Sequence, residues 1–339
     1  MVKVSVVVCA FNEELRIKDC LNSIKPQTID NFEYEILIID NESSDDTENI
    51  CRKFVEKNKI NMNINYMRIE HVSLSKSRNI GIKNTTGSKI IFIDADALAD
   101  KNWLSELLTG FENPEVDIVS GKIKNLNIES NFSQFIYKAH FESLVTEDKT
   151  QVLNHGDSNL IGANMGFRRI VFEKLGGFFN NIKGRGDETA VATMYFNLCP
   201  SRREKYVSSA IVYNEHADSL FVWLKQQYSE GKSYARIISL KNKSSLSDSL
   251  KFIIRLGNIS LLFFLLLSPI IGLSFVFLFS IFPLIRYGYR YKFILKSFLG
   301  TMKSLGIIKA VLSVPTIILG TLALDSGCLI ETVFSKNIK

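Results

Sequence analysis

The sequence predicts an α/β protein with a mainly parallel sheet covered by helices on both faces, followed by a membrane-spanning α-helical region. Two observations predict the sheet: apolar runs rich in Val and Ile alternate with helical patterns over residues 2–212, and these runs are apolar throughout rather than at every second position. A third observation predicts the membrane region, because residues 252–285 are almost unbroken Leu, Ile, Phe and Val, with Arg255 as the single charge.

Strands and helices are predicted to follow one another in a regular order. A strand VKVSVVVC precedes a helix over residues 13–24, and a strand YEILIID precedes a helix over residues 45–56. The runs INYMRIE and KIIFIDADA follow as further strands. Ligands of such folds gather at the carboxyl ends of parallel strands, so the site residues are expected there.

Bulk properties exclude several classes of protein. A chain of 339 residues with 46% hydrophobic content can bury a large core, and a formal net charge of +6 is too small for a general nucleic-acid surface. The five cysteines are scattered without metal-binding spacing, which favours reduced thiols in the cytosol. The N-terminus has too short an apolar run for a secretory signal and is predicted to form the first strand.

The charge pattern of the C-terminal third predicts how it crosses the membrane. Residues 286–309 hold six Lys or Arg and no Asp or Glu, so this loop should lie on the cytosolic side. Two spans before it and one after it satisfy that rule and predict a multi-pass protein of the cytoplasmic membrane. The sequence predicts a cytosolic domain at 1–232 and a membrane region at 252–339, with spans at about 252–270, 271–287 and 305–324. Between them, residues 233–251 form a basic juxtamembrane segment. This segment either lies against anionic headgroups or is a solvated linker.

Asp94-Ala-Asp96 directly follows the strand KIIFI. Two carboxylates spaced by one residue on a turn can bind a hard divalent cation and a ribose hydroxyl together, while the cation bridges the oxygens of a diphosphate. Alternatively, these aspartates cap the helix predicted over residues 103–108. Their position at the carboxyl end of a strand favours the cation site.

Two further strand ends carry polar or aromatic residues. Asp40 ends the strand ILIID, where a carboxylate can accept hydrogen bonds from the NH edge of a nucleotide base. After the first strand, Phe11, Asn12 and Glu13 offer an aromatic surface and a carboxylate at the same predicted edge.

The chain resembles glycosyltransferase family 2 from residue 4 to about residue 232. The resemblance rests on motifs in order, namely VVVCAFNEE, ILIIDNESSDDT, SKSRNIGIKNTTGSKIIFIDADA, IGANMGFRRIVFEKLGGF, GRGDET, VYNEH and KQQYSEGK. It implies the GT-A fold, a UDP- or GDP-sugar donor and a divalent metal, Mg or Mn. By this resemblance, the nucleoside would be contacted by Phe11, Glu13 and Asp40, and the diphosphate by Arg78. The ribose would be contacted by Asp94, and the metal would be bound by Asp94 and Asp96.

The same resemblance implies a catalytic base in the pair Asp187-Glu188. The family usually has the order Glu-Asp, so spacing favours Glu188 as the base and residue type favours Asp187. His216, in VYNEH, would be a metal ligand or a structural histidine. Asn164 and Arg168 would face the donor sugar, unless GANMGF is simply a packed strand.

These features together predict an enzyme that transfers one sugar with inversion to a lipid-linked acceptor of the polyprenyl type. An inverting transferase needs a carboxylate to deprotonate the acceptor hydroxyl. The segment KQQYSEGK lacks the QxxRW signature of processive synthases, which favours single transfer. The alternatives are a non-catalytic membrane scaffold that binds a nucleotide-sugar and, less favoured, a sugar-phosphate nucleotidylyltransferase.

Overall fold

A computed structural model describes most of the N-terminal two thirds of the chain. The described residues are 2–25, 32–60, 62–127, 129–138, 150–153, 160–180 and 186–240, with 319, 323–328, 330 and 331. The predicted membrane spans lie outside these residues, apart from a few at the end of the third. Within the part of the chain that is described, every helix is too short or too polar to cross a bilayer.

The chain divides into two compact units. The first contains residues 1–127 and 146–215, and the second contains residues 128–145 and 216–339. The boundary predicted at residue 232 falls inside a helix of the second unit, Leu220–Leu240.

The secondary structure follows the predicted alternation. The strands are β1 Val2–Ala10, β2 Phe32–Asp40, β3 Ile64–Arg68, β4 Lys89–Asp94, β5 Leu98–Ala99, β6 Val116–Asn125, β7 Gln151–Leu153, β8 Met165–Arg168 and β9 Arg203–Asn214. The helices are α1 Ile17–Ile24, α2 Thr47–Asn58, α3 Leu74–Lys83, α4 Trp103–Thr109, α5 Asn131–Ile136, α6 Ile170–Leu175, α7 Asp187–Leu198 and α8 Leu220–Leu240, with a 3-10 turn at Gly110–Glu112. The first two helices begin two to four residues later than predicted.

One mixed sheet contains all of these strands, in the order β3-β2-β1-β4-β8-β6-β9-β5, with β7 on β9. The β1 strand is parallel to β2 and β4, and the β2–β3 and β6–β9 pairs are also parallel. The β8 strand lies antiparallel between β4 and β6. The α/β prediction is thus confirmed as a mostly parallel mixed sheet.

Helices cover both faces of the central strands. Val7 of β1 belongs to a buried cluster with Ile82 of α3 and Val191 of α7. Its neighbours Val6 and Val8 point to the opposite face and are 1% and 0% exposed. Side chains alternate between the faces of a strand, so burial of successive residues means that both faces are covered.

The strand register brings three strand ends to one edge. Ala10 pairs with Asp40 across β1 and β2, and Cys9 pairs with Asp94 across β1 and β4. The turn after β1, which begins at Phe11, therefore leaves the sheet between the ends of β2 and β4.

The described part of the second unit has its own small core. Ile136 of α5 and Trp223 of α8 are buried together with Ala217. Farther along α8, a Cβ added to Gly231 would lie 1.8 Å from the carbonyl oxygen of Leu324. The helix backbone therefore lies directly against the segment containing residues 323–328. The sequence over residues 132–145 has an amphipathic pattern that predicts a helix. The helix α5 contains the start of this run, and residues 139–149 lie outside the described part.

Candidate active site

Arg78 joins carboxylates from two distant parts of the chain. Its Nη1 donates to Asp187 Oδ1 at 2.7 Å, and its Nη2 donates to Asp94 Oδ1 at 3.4 Å. The same Nη1 lies 3.9 Å from Glu188 Oε2. The end of β4 and the first turn of α7 therefore meet at one guanidinium group.

The guanidinium group is buried and confined. Arg78 is 2% exposed, and its charge lies 5.9 Å from the ring centre of Phe92 and 5.5 Å from that of Phe178. Burial alone would lower the pKa of Arg78, but Asp187, Asp94 and Glu188 raise it above its usual value. The group is a permanent cation held inside the protein.

The pair at the start of α7 consists of two unlike carboxyl groups. Burial by itself raises the pKa of Asp187, but the charge of Arg78 and hydrogen bonds from Glu188, Arg78 and Ser75 hold it below its usual range. Burial and the neighbouring charge of Asp187 raise the pKa of Glu188 well above its usual value. Asp187 thus forms a buried ion pair with Arg78, whereas burial and the like charge of Asp187 favour the neutral form of Glu188.

Glu13, Asp94 and Asp96 form an acidic group at the sheet edge. Burial, followed by the charges of Asp96 and Asp94, raises the pKa of Glu13 to about 7. The Asp94 side chain is 38% exposed, in contrast to the buried Asp187. A carboxyl group whose pKa is raised by neighbouring carboxylates is stabilised in its charged form by a nearby cation.

This donor set fits a hard divalent cation. Mg²⁺ is usually bound by one or two carboxylates, with substrate phosphates and water completing the coordination, and Asp94 and Asp96 supply carboxylates of that kind. Among the residues that the structure describes, no three His, Cys, Asp or Glu side chains form a ready metal cage. A cation here would complete its coordination with ligand oxygens, which is how Mg²⁺ binds beside phosphates.

Hydrogen bonds join the loops after β1 and β2 beside the acidic group of Glu13, Asp94 and Asp96. The Ser43 hydroxyl accepts from the Asn12 amide at 2.9 Å, and the Asn12 side chain accepts from the Ser44 amide at 2.8 Å. Asn12 has φ 57°, a left-handed conformation that Asn tolerates better than most residues. This fixed turn presents Phe11, 45% exposed, with its ring centre 4.6 Å from that of His71.

Asp40 lies beneath these loops with 0% exposure. Its Oδ1 accepts from the Ser43 amide at 2.9 Å, and its Oδ2 accepts from the Tyr66 hydroxyl at 2.7 Å and from Arg68 at 3.1 Å. The structure therefore places Asp40 at the predicted edge, with its carboxylate bound to the protein's own groups. Its contact with a nucleotide base stays a prediction.

The structure does not bring the side chains of Asn164 and Arg168 to the acidic group of Glu13, Asp94 and Asp96. The Asn164 side chain is fully buried, accepts from Trp103 Nε1 at 2.8 Å and donates to two main-chain carbonyls. Arg168 pairs in register with Lys89, the first residue of β4, and donates to the carbonyl of Phe111. Both side chains are occupied by structural contacts, and Arg168 lies at the opposite end of β4 from Asp94.

His216 belongs to the second unit. Its ring centre lies 5.1 Å from that of Tyr137, and its carbonyl accepts from the Ser133 hydroxyl at 3.1 Å. Its predicted role as a metal ligand stays a prediction.

Two contributors to the site went unrecognised in the sequence. The Ser75 hydroxyl donates to Asp187 Oδ2 at 3.2 Å, and a spacing of three residues from Arg78 in a helix is the signal that could have identified it. Gly162 is the other, since a Cβ there would lie 2.5 Å from Arg78 Nη2. This approach depends on the tertiary fold, so nothing local in the sequence indicates it.

Gly162→Ala should therefore reduce enzymatic turnover strongly and stability only slightly. The new methyl group would displace a guanidinium group that Asp187 and Asp94 hold in place, and a displacement of about 1 Å in a catalytic group can cost about a hundredfold in rate. Turnover and urea denaturation of the variant would test this. Gly110→Ala is the matched control, because its new methyl group would also lie 2.5 Å from a side-chain atom, Val119 Cγ1, instead of from Arg78. Native turnover in Gly162→Ala would show that the position of Arg78 is not critical.

Comparisons with known proteins identify the family of the chain. Residues 5–176 match the family described as "Glycosyl transferase family 2". The chain is 28% identical over 184 residues to Glycosyltransferase AglE of Haloferax volcanii, covering 54% of this chain and 58% of that protein, which is less than two thirds of its length. It is 28% identical over 220 residues to a glucosyl-dolichyl phosphate glucuronosyltransferase of the same organism, covering 63% of this chain and 67% of that protein.

A solved structure shares the fold. The mannosyltransferase PcManGT from Pyrobaculum calidifontis, in complex with GDP-Man and Mn²⁺, superposes with a TM-score of 0.59 at 14% identity, covering 98% of this chain and 88% of that one. At this identity the likeness concerns the fold alone.

Proposed function

This chain belongs to glycosyl transferase family 2, and we propose from that premise that it transfers a single sugar from a nucleotide-sugar to an acceptor hydroxyl or phosphate with inversion. One observation carries the proposal: Arg78 binds both Asp94, on the donor side, and Asp187, the neighbour of a carboxyl group with a raised pKa. Arg78 therefore holds the carboxylate proposed to bind the donor, Asp94, close to the carboxyl group proposed to accept the proton, Glu188.

Glu188 is the base of the proposed reaction. With a hydroxyl acceptor, the oxygen forms its bond to the anomeric carbon as its proton passes to the Glu188 carboxylate, and the bond from that carbon to the diphosphate oxygen breaks. The nucleoside diphosphate leaves with the bonding electrons. A single displacement of this kind inverts the anomeric centre, and Asp187 stays ionised beside Arg78 throughout.

Asp94 and Asp96 would hold a divalent metal, Mg or Mn, and Glu13 would complete the acidic surface beside them. When bound, such an ion supplies positive charge against the diphosphate. The protein's own part is to keep Asp94 oriented, which Arg78 does through its Nη2. PcManGT, which shares the fold, was solved in complex with GDP-Man and Mn²⁺, and this supports a divalent cation beside a bound nucleotide-sugar.

The nucleoside would lie on the Phe11 side of the acidic group. Phe11 presents an exposed ring on a turn fixed by Asn12, and aromatic faces bind planar bases well. Asp40, which holds the Ser43 amide, would act by fixing the loop and through contact with the base.

The proposed acceptor is lipid-linked and the proposed location is the cytoplasmic membrane, with the first unit in the cytosol. The apolar sequence over residues 252–285 supports this, and so does the similarity to a relative named for a dolichyl phosphate substrate.

A donor screen tests the proposal. The full chain would be incubated with UDP- and GDP-sugars, Mg²⁺ or Mn²⁺, and lipid extracts as acceptors, and released UDP or GDP would be measured. NMR of the product would show the anomeric configuration. Release of nucleotide with an inverted product is the expected result, and retention of configuration would refute the single displacement. Binding of a nucleotide-sugar without turnover under all conditions would favour a scaffold.

Asp96→Asn should weaken metal-dependent donor binding about tenfold to a hundredfold, because it removes one charged oxygen ligand from the proposed cation. Calorimetric titration of the matching nucleotide, with and without Mn²⁺, would measure the loss. Asp19→Asn, on the exposed face of α1, is the matched control and should bind as the native chain does. Equal affinities for the two variants would place the cation elsewhere.

A further inference from the structure

The turn that follows β4 is hydrogen-bonded to helix α1 at both of its ends. At its start, the Cys20 thiol donates to the carbonyl of Asp94 at 3.4 Å. At its far end, the amide of Ala99 donates to the Ser23 hydroxyl at 2.9 Å. We call residues 94–99 the carboxylate turn. Two side chains of one helix therefore bind the main chain at both ends of this turn.

The two side chains belong to a helix that is held in the core of the first unit. Cys20 and Ser23 are three residues apart, and residues with this spacing are neighbours on the surface of a helix. The apolar residues of the same helix, Ile17, Leu21 and Ile24, are buried. Displacing Cys20 or Ser23 would require moving this buried face, so both side chains extend from a fixed backbone.

The Ser23 hydroxyl is oriented to accept the bond from Ala99. It donates to the carbonyl of Cys20 at 2.7 Å, which uses its one hydrogen. Its oxygen lone pairs are then available for the Ala99 amide. Ala99 pairs with Val212 across β5 and β9. The short strand β5 is thus held by β9 on one side and by α1 on the other.

The Cys20 side chain is a neutral donor. It is fully buried, and burial, followed by the charges of Asp96 and Asp94, raises the pKa of its thiol above the usual value. The sulfur therefore keeps the proton that it donates to the carbonyl of Asp94. The same carbonyl accepts from the amide of Ala97 at 3.1 Å, and this second bond closes the turn.

These bonds fix the main chain that carries both aspartates. The sheet fixes the first of them, because Asp94 pairs with Cys9 across β4 and β1. Asp96 lies two residues beyond the end of β4, so its direction depends on the path of the chain from Asp94 to Ala99. Groups that orient the ligands of a cation without touching the cation change its affinity about tenfold to a hundredfold when they are removed.

We propose that Cys20 and Ser23 are positioning residues, which hold the carboxylate turn so that Asp94 and Asp96 direct their oxygens to one divalent cation. They act through the main chain of the turn and not by contact with the cation. This inference rests on the proposed function, which assigns the two aspartates to a cation beside the nucleotide-sugar.

Hydrogen exchange tests the contact itself on the full chain, without metal or sugar donor. Ser23→Ala removes the acceptor of the Ala99 amide, so this amide should exchange about tenfold faster than in the native chain. Ser105→Ala is the matched control, because the Ser105 hydroxyl also donates to a carbonyl three residues before it, that of Asn102. The control should leave the exchange of Ala99 unchanged. Native exchange of Ala99 in Ser23→Ala would overturn the proposal.

Calorimetric titration of Mn²⁺, with UDP and with GDP in separate experiments, tests the consequence for the cation. Ser23→Ala should weaken Mn²⁺ binding about tenfold. Ser23→Thr keeps the hydroxyl and should restore it, and Ser105→Ala should bind Mn²⁺ as the native chain does. Ser23→Ala and Ser105→Ala should unfold at similar urea concentrations, which separates positioning from folding. Native Mn²⁺ affinity in Ser23→Ala would refute the positioning role of Ser23.

The role of Cys20 has its own control. Cys20→Ala should weaken Mn²⁺ binding about tenfold as well. Cys51→Ala removes a sulfur from an equally buried position on α2 and should leave Mn²⁺ binding unchanged. Equal Mn²⁺ affinities in Cys20→Ala and Cys51→Ala would show that Cys20 is a packing residue and would overturn its part of the proposal.

The outcomes of these measurements separate the positioning role from the proposed function. Weaker Mn²⁺ binding in Ser23→Ala, together with a native chain that releases no UDP or GDP from any sugar donor, would support the positioning role and refute the proposed function. Turnover by the native chain, together with unchanged Mn²⁺ affinity in Ser23→Ala, would support the proposed function and refute the positioning role.

Discussion

Replacing Glu188 by Gln is expected to abolish sugar transfer while leaving donor binding near that of the native chain. A positioned general base contributes about a hundredfold to ten-thousandfold to a rate, and Gln keeps the size of the side chain without its basicity. Glu188 is 14% exposed and lies 3.9 Å from Arg78 Nη1. The loss should therefore fall on kcat and much less on the dissociation constant of the donor.

The pH dependence of the native enzyme follows from the same residue. Burial and the charge of Asp187 raise the pKa of Glu188, so its carboxylate forms only as the pH rises through that raised value. The base must be ionised to accept a proton, so activity should increase with pH across this range and fall on acidification. Asp187→Asn removes the neighbouring negative charge, which lowers the pKa of Glu188 and moves the acidic limb to lower pH.

This shift distinguishes the two candidate bases. With Glu188 as the base, Asp187→Asn keeps measurable turnover with a displaced acidic limb, and Glu188→Gln has none. With Asp187 as the base, Asp187→Asn is inactive and Glu188→Gln keeps its acidic limb. Rates of UDP or GDP release from about pH 5 to about pH 9, a range chosen around the titration of raised carboxyl groups, would decide between them.

The grouping of carboxylates at one sheet edge was predictable from the sequence, because it depends on strand direction. Apolar runs that read as parallel strands place their last residues together, and Cys9 does pair with Asp94 as that reasoning requires. From the sequence, the order of Asp187 and Glu188 left the base open. In the structure Arg78 donates to Asp187, and this contact supports the proposal that Glu188 is the base.

The position of Arg168 could not be predicted in the same way. The β8 strand runs antiparallel to β4, so Met165 pairs with Phe92 near the carboxyl end of β4 and Arg168 pairs with Lys89 at the other end. The sequence of a four-residue strand carries no information about its direction in a sheet. The role of Gly162 was hidden for a similar reason, since only the tertiary fold brings Arg78 Nη2 next to it.

Arg78→Met should destabilise the protein by about 3–5 kcal/mol and remove its activity. This is the cost of leaving a buried charge without its partner, and Asp187 would keep a 1% exposed carboxylate whose strongest ion pair has been lost. Met approximates the length and apolar stem of Arg, so packing between Phe92 and Phe178 is largely kept. The measurement is urea denaturation at neutral pH, with the free energy of unfolding extrapolated to water.

Arg52→Met is the matched control, because Arg52 forms an ion pair with Glu48 on an exposed helix surface, with 55% of its side chain accessible. Exposed pairs contribute about 0–1 kcal/mol. Combining Arg78→Met with Asp187→Asn removes both buried charges, so the double variant should be less destabilised than the sum of the two single variants. If Arg78→Met costs no more than Arg52→Met, water reaches the guanidinium group and screens it. Arg78 would then be free to follow a bound diphosphate instead of holding Asp94 and Asp187 in place.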